Sequence, residues 1–481
     1  MSSSVSSYSG FSPKEDDKIP VLDNVDHISP EEFYKDYVSK RVPVVIKSSL
    51  PESDWKGYLW KQEDYLLEKI GQSVCKIEPM DPSTGTFGQG MSRNEMTVAE
   101  FLQRIKAGER LYLTTQYDDS DDVLDGDDEV SLLVKSLCPA PTDKLLSDFS
   151  LTPALMGNLV PQQCNIWIGR SENGTSSGLH HDFHDNIYTV VKGHKRFVIL
   201  SPDSALHLQL AGKISKIHQN GLISYEGEDR PQRSDGLTEL DAAIAHTQFL
   251  EMKISDLKEL QASEDIIQRL EAEYEAEMDN VLQMQLGGEA QDWDELQEGD
   301  ADSLLDKSSN ENDEGFSSAD GGDQLDSEEQ VSESGNEKPS LPDHFTKITV
   351  PGLHKYMGFD NAKDIIPSEE ERTALSKTHP LVVDLEPGDM FYLPASWFHE
   401  VTSSSAEGES SIHVAFNYWF HPPDNLHNFD HPYEDRDLWK AKRSMVSKAI
   451  QRLYATSGTT EKRNWEGESS TSEKQTKKRV Q

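Results

Sequence analysis

Apolar positions come in two short-period blocks separated by a long-period one. In the first block they fall at 163–168, 186–191 and 196–200, and in the second at 381–385, 390–393 and 412–420. Gly169, Gly193 and the pair Pro387-Gly388 stand where turns are needed. Short β-branched and aromatic runs punctuated by Gly and Pro predict a sandwich or barrel. Ahead of these blocks the pattern mixes helix and strand. Ser29-Pro30-Glu31-Glu32 reads as an N-cap, a first-turn proline and first-turn acids, so a helix is expected through Phe33 and Tyr37. Residues 43–46 read as a buried strand, 96–102 as the opening of a second helix, and 110–116 as a further strand.

Between the blocks the period lengthens. Residues 237–286 have helical character, with Ile267, Leu270, Tyr274, Met278 and Leu282 at three- and four-residue steps. Residues 287–340 are Asp, Glu, Ser and Gly with almost no apolar content. Such a tract cannot bury enough surface to offset its ordering entropy, and disorder is expected there. The expected organisation is a disordered lead at 1–17 and the first part of one β domain at 18–215. An insertion follows at 216–340, then the second part of the same domain at 341–432 and a C-terminal helix with a polar tail at 433–481. Long excursions from a surface loop cost little in closure entropy, so a single interrupted domain is physically reasonable.

Charge narrows the partners. A net charge of -41 over 481 residues argues against a basic groove for nucleic acid and leaves basic proteins as partners for the acidic insertion. The opening MSSSVSSYSG has neither a basic start nor an apolar core, and no run approaches the length of a membrane span. Cys75, Cys138 and Cys164 lack metal-type spacing and suit a reducing compartment, with cytosol or nucleus as the expected location.

Candidate chemistry centres on His180 and Asp182. Side chains two apart in a strand share a face, so both can reach one ion while His181 points away. By itself this pair equally describes a solvated edge strand. His399 follows a Pro-Gly turn, a strand and a second Pro-marked turn, with Phe391 and Trp397 as apolar bulk nearby. Two imidazoles and one carboxylate form a facial set that leaves open positions on a six-coordinate iron. For His399 to meet the same ion as His180, the ends of the insertion must lie close together.

Several motifs occur in order: Arg110-Leu-Tyr-Leu, Ser177-Gly-Leu-His-His-Asp, Asn186, Lys192-Gly-His-Lys-Arg-Phe, Pro387-Gly-Asp through Trp397-Phe-His399, and Phe416-Asn-Tyr-Trp419. On these residues, from Ile19 to about Pro423 without the insertion, the chain resembles the JmjC (Jumonji-C) branch of the cupin superfamily. In pattern it is nearest the hydroxylases of the factor-inhibiting-HIF type and the related lysyl hydroxylases. The resemblance implies a mainly β fold with flanking helices, built on a double-stranded β-helix (jelly-roll) barrel. It implies Fe(II) held by His180, Asp182 and His399, with 2-oxoglutarate as cosubstrate and O2 as oxidant. Lys195 matches the lysine that meets the cosubstrate's far carboxylate, a role suited to a compact buried cation. Tyr112 and Ser177 match hydroxyls at the same carboxylate. Asn186 and Asn417 match amides near its metal-chelating end, and Trp419 matches a pocket wall.

The reading that follows is a dioxygenase that hydroxylates a side chain of a protein or peptide substrate, releasing succinate and CO2. N-methyl-lysine demethylation by the same chemistry and a non-catalytic cupin scaffold are the alternatives. The absence of Cys-rich zinc modules in the chain favours hydroxylation. The C-terminal helix at 438–454 has two readings, a homodimer contact or a helix packed on its own barrel. Deletion of residues 288–340 is expected to leave iron binding intact in an anaerobic Fe(II) titration. Loss of the metal or of the soluble fold would contradict the excursion reading.

Overall fold

The computed structural model describes residues 5–50, 55–88, 91–116, 129–227, 231–285, 341–405 and 412–457. The acidic tract predicted at 287–340 and the polar tail after the last helix lie outside them. In chain order the strands are β1 (Val21–Leu22), β2 (Val44–Ile46), β3 (Val74–Pro79), β4 (Asn94–Thr97), β5 (Leu111–Leu113), β6 (Pro161–Gly169), β7 (Thr175–Ser176) and β8 (His180–His181). They continue with β9 (Asp185–Lys192), β10 (His194–Leu200), β11 (Ile214–Ile217), β12 (Ile223–Tyr225), β13 (Leu381–Leu385), β14 (Met390–Leu393), β15 (Phe398–Ser404) and β16 (His413–Phe420).

One sheet runs β1-β2-β14-β9-β16-β6-β5-β3-β4 and a second runs β13-β10-β15-β7, with β8 also on β15. Successive strands β9 to β10, β13 to β14 and β15 to β16 alternate between the sheets, which is the expected double-stranded β-helix. Period-2 alternation explains the layering. Ala415 of β16 faces the interior with Tyr188, Val190 and Phe391, against Phe197, Ile199, Val383 and Leu385 of the second sheet. Its neighbours Val414, Phe416, Tyr418 and Phe420 face outward into a separate core with Trp60, Phe149 and Leu453. Every residue of β16 is therefore buried, on one side by sheet and on the other by helices.

The helices are α1 (Pro30–Phe33), α2 (Glu63–Ile70), α3 (Val98–Lys106), α4 (Glu129–Leu137), α5 (Glu239–Glu259), α6 (Glu264–Gln285), α7 (Val350–Tyr356), α8 (Glu369–Leu375) and α9 (Arg436–Ser457). The Ser29 capping box with Glu32 starts α1 as expected, but the chain widens to a π turn over Tyr34–Val38. Helix α3 starts later than its periodicity predicts. Met96 and Thr97 still pair with Cys75 and Val74, and Thr97 then caps the helix by accepting from the Glu100 amide. In α6 the buried stripe is Ile267, Leu270 and Val281, with Tyr274 partly buried, whereas Met278 and Leu282 are exposed. Helix α9 buries Leu438, Trp439, Val446, Ile450 and Leu453 in its own chain, and Ala441 meets Phe249 and Leu250 of α5.

Two expected boundaries change. The lead at 1–17 is not unpacked where it is described. The Ser7 and Ser9 amides donate to the Ile217 and Gln219 carbonyls at 2.9 and 3.1 Å, and Phe11 stacks on Trp397 at 6.2 Å. Tyr8 and Phe11 supply the apolar surface that the serines around them hide, and β11 supplies an unpaired edge. The insertion does not begin at 216, because that cut falls inside β11. Ile217, Ile223 and Tyr225 pack in one core with Val198, Leu200 and Phe398, so the excursion begins only after β12.

A buried ion pair ties the fold together. Arg41 is 0% exposed, and its guanidinium donates to both carboxylate oxygens of Asp185 at 2.8 and 2.5 Å. Asp185 also accepts from the Tyr392 hydroxyl at 2.7 Å and the Ala395 amide at 3.0 Å. Arg41→Met leaves that carboxylate buried without its cation. It is expected to cost about 3–5 kcal/mol in equilibrium denaturation of the metal-free protein. A loss below about 1 kcal/mol would mean that the pair is dispensable.

Candidate metal centre

His180 sits directly opposite His399 where β8 pairs antiparallel with β15. Their ring centroids are 4.4 Å apart, and His399 Nε2 lies 3.6 Å from Asp182 Oδ2. One ligand atom from each of the three falls within 4.8 Å of the others. Among the described residues no second cluster of His, Cys, Asp or Glu does the same. Asp182 lies just past the end of β8, where its carbonyl accepts the Ser396 amide at 2.7 Å. His181 points the other way and pairs with the Tyr225 hydroxyl at 2.7 Å.

Both ligand imidazoles are oriented by backbone. His180 Nδ1 lies 3.0 Å from the Gly178 carbonyl, and His399 Nδ1 lies 3.0 Å from the Trp397 carbonyl. A proton on each Nδ1 leaves Nε2 as the free lone pair, as metal-binding histidines require. Burial, and then the neighbouring His399, push His180 down to about 3, so its imidazole is neutral at ordinary pH. Burial works to raise the Asp182 carboxyl, but the imidazoles of His399 and His180 outweigh it and hold the group below its usual value. Two neutral nitrogens and one anionic oxygen are a donor set suited to iron(II).

Beside the triad lies a cavity of about 320 Å³, within the size range of small-molecule sites. Lys195 is fully buried behind two residues of its lining, Tyr112 and Ser403. Its Nζ donates to the Ser403 hydroxyl at 2.6 Å and the Tyr112 hydroxyl at 3.1 Å. Burial pushes its ammonium down to about 7. Among the described residues no carboxylate pairs with it, and a buried cation held only by hydroxyls is a cradle for an anion. Ser177 lines the cavity, accepting the Val401 amide at 3.2 Å.

Asn186 and Trp419 line the cavity, and Trp419 is stacked on His184 at 5.0 Å. Asn417 does not reach the wall. Its amide donates to Asn186 Oδ1 at 3.0 Å and its own Oδ1 accepts from Trp167 Nε1 at 2.8 Å, so it supports two wall residues. Residues that sequence reasoning missed include Ser403, Glu78, Arg93 and Phe345. Ser403 carried a usable signal, since 399, 401 and 403 share one face of a strand. Phe345, stacked on His180 at 4.7 Å, carried none, because it follows the acidic tract in a short polar connection.

Residues 30–426 match a family described as a cupin-like domain. The chain is 66% identical over 473 residues to JmjC domain-containing protein 4 of Schizosaccharomyces pombe, covering 98% of this chain and 99% of that protein. It is 22% identical over 200 residues to JmjC domain-containing protein E of Dictyostelium discoideum, covering 38% of this chain and 52% of that one. It is 26% identical over 176 residues to lysine-specific demethylase JMJ30 of Arabidopsis thaliana, 36% of each chain. Among the described residues, no helix is long and apolar enough to cross a membrane.

The depressed Lys195 ammonium makes a signed prediction. Its proton is lost near pH 7 in the fold but only near 10.4 in the unfolded chain, so between these values the unfolded state binds more protons. The contribution of Lys195 to stability therefore rises with pH across that window. Denaturation of wild type and Lys195→Met from pH 7 to pH 10 is expected to show this rise in the wild-type-minus-variant difference. A flat difference would mean that Lys195 keeps its proton.

Proposed function

This chain belongs to the JmjC-type cupin-like family, and on that premise we propose that it is an Fe(II)- and 2-oxoglutarate-dependent dioxygenase hydroxylating a side chain of a protein substrate. The observation that carries the proposal is one cavity lined by a His-Asp-His set and by the two hydroxyls, Tyr112 and Ser403, to which the buried Lys195 donates. Iron, 2-oxoglutarate and dioxygen together supply an oxidant that puts one oxygen atom into a C–H bond, the other going into succinate as CO2 leaves.

The chain's own groups would do the rest. His180, Asp182 and His399 would hold the iron on one face and leave the opposite face to the ligands. Lys195, with Tyr112 and Ser403 on either side of it, would receive the far carboxylate. Burial pushes the Tyr112 phenol up, so it stays protonated and available as a donor. Ser177 adds a hydroxyl on the same wall. Asn186, held by Asn417, would orient the near end of the cosubstrate. Phe345 over His180 and Trp419 beside Asn186 shield the centre from water, which strengthens the electrostatics inside.

The support for hydroxylation is that the three cysteines are buried and free and lack zinc-type spacing. Demethylation is the second reading, supported by the name of the Arabidopsis relative. The acidic insertion's charge favours a basic protein surface as the partner.

The test starts with Fe(II)-loaded protein given 2-oxoglutarate and air, with succinate followed by NMR. Turnover is expected, and His399→Ala is expected to abolish it. Proteins captured by an inactive, Ni(II)-substituted form are then treated with the iron form and mapped by mass spectrometry. Gain of one oxygen atom on a defined side chain supports hydroxylation, whereas loss of a methyl group with formaldehyde release means demethylation. Captured partners with no turnover in the wild type would instead favour the scaffold.

A further inference from the structure

We propose that His413 closes the inner end of the 2-oxo acid pocket and sets the length of the dicarboxylate it admits, an inference that rests on the cosubstrate reading above. His413 opens β16 and pairs with Gly169 of β6, which in turn pairs with Tyr112 of β5. The three residues thus form one cross-strand row. Gly169 contributes no side chain to it, so the imidazole and the phenol meet over the gap with centroids 5.5 Å apart and planes at 61°. A Cβ at Gly169 would lie 2.7 Å from both His413 Nε2 and Tyr112 Cδ2. A Cβ at Gly193, whose φ is +85°, would lie 2.7 Å from His413 Cβ. Gly169 therefore clears the space for the ring, and Gly193 the space for its Cβ and for the Ser404 carbonyl.

Packing alone does not account for an imidazole there. His413 is 1% exposed, and among the described residues neither of its ring nitrogens has a hydrogen-bond partner. An apolar ring of similar size would fill the space without burying unsatisfied polar atoms. The place of the ring supplies the reason. It backs Tyr112, whose hydroxyl meets the Lys195 ammonium, and Lys195 is close enough to disfavour a second positive charge on the imidazole. A neutral imidazole places one N–H donor and one acceptor behind Tyr112, which lines the pocket. It can serve a far carboxylate at Lys195 through one bound water. Because the ring also occupies the space beyond Tyr112, it limits how far the acid can extend.

Volume and nitrogen chemistry can be separated by two substitutions. Protein loaded with Mn(II) under argon is titrated by calorimetry with 2-oxoglutarate and with 2-oxoadipate, which is one methylene longer. The wild type is expected to prefer 2-oxoglutarate. His413→Ala is expected to weaken 2-oxoglutarate by about tenfold and to bring 2-oxoadipate to equal or tighter binding. His413→Phe keeps the volume and loses the nitrogens, so it should weaken 2-oxoglutarate but still reject 2-oxoadipate. Circular dichroism and Mn(II) affinity establish that each variant is folded, and His413→Ser takes the place of the alanine variant if that one is not. An unchanged ratio of the two affinities in folded His413→Ala or His413→Ser would overturn the proposal. A wild type that binds Mn(II) but neither 2-oxo acid would overturn the cosubstrate reading itself, a result distinct from unchanged selectivity.

Discussion

A single carboxylate, Asp185, holds the ligand-bearing parts of this chain in register. It lies three residues after Asp182 on β9 and accepts the amide of Ala395, four residues before His399. It also receives both arms of the Arg41 guanidinium from the N-terminal region. Three segments remote in sequence thus converge on two oxygen atoms. Leaving such a charge unpaired in the interior costs several kcal/mol, so the three segments have little freedom to drift independently. The neighbouring bond from the Ser396 amide to the Asp182 carbonyl extends the same clamp to the backbone of a metal-face residue itself.

The clamp explains how one domain tolerates a long interruption. The excursion leaves after β12, runs through α5 and α6, and returns at Leu341. The return is pinned on both sides. The His181 amide donates to the His344 carbonyl and the Thr346 amide to the Leu179 carbonyl, while on the other flank the Ala211 amide donates to the Phe345 carbonyl. Phe345 is thereby set against His180. The helical part is anchored separately, with Phe249 and Leu250 of α5 on Ala441 of α9.

Much of this was legible in the residues, for physical reasons. Strands buried on both faces show as short apolar runs, and each of those runs became a strand of the barrel. The triad could be read because His180 and Asp182 are two apart and His399 follows a Pro-Gly turn, a strand and a second Pro-marked turn. Other features depended on contacts that no local pattern encodes. Asn417 has the residue type of a wall group, yet its amide is spent on Asn186 and Trp167. The packed lead is serine-rich, and only its two rings and an open strand edge explain its order. Met278 and Leu282 fit a helical period but fall off the stripe that α5 covers.

The anchoring of the return segment has a topological consequence. Since Leu341 to Lys347 is held by strand-like pairing to residues on both sides, contacts within the domain, and not the path of the excursion, set His180 against His399. The two halves are interleaved strand by strand, so a polypeptide severed between Gln285 and Leu341 has the architecture of a split protein. Its fragments would be complementary pieces of one barrel, neither able to complete the metal face without the other.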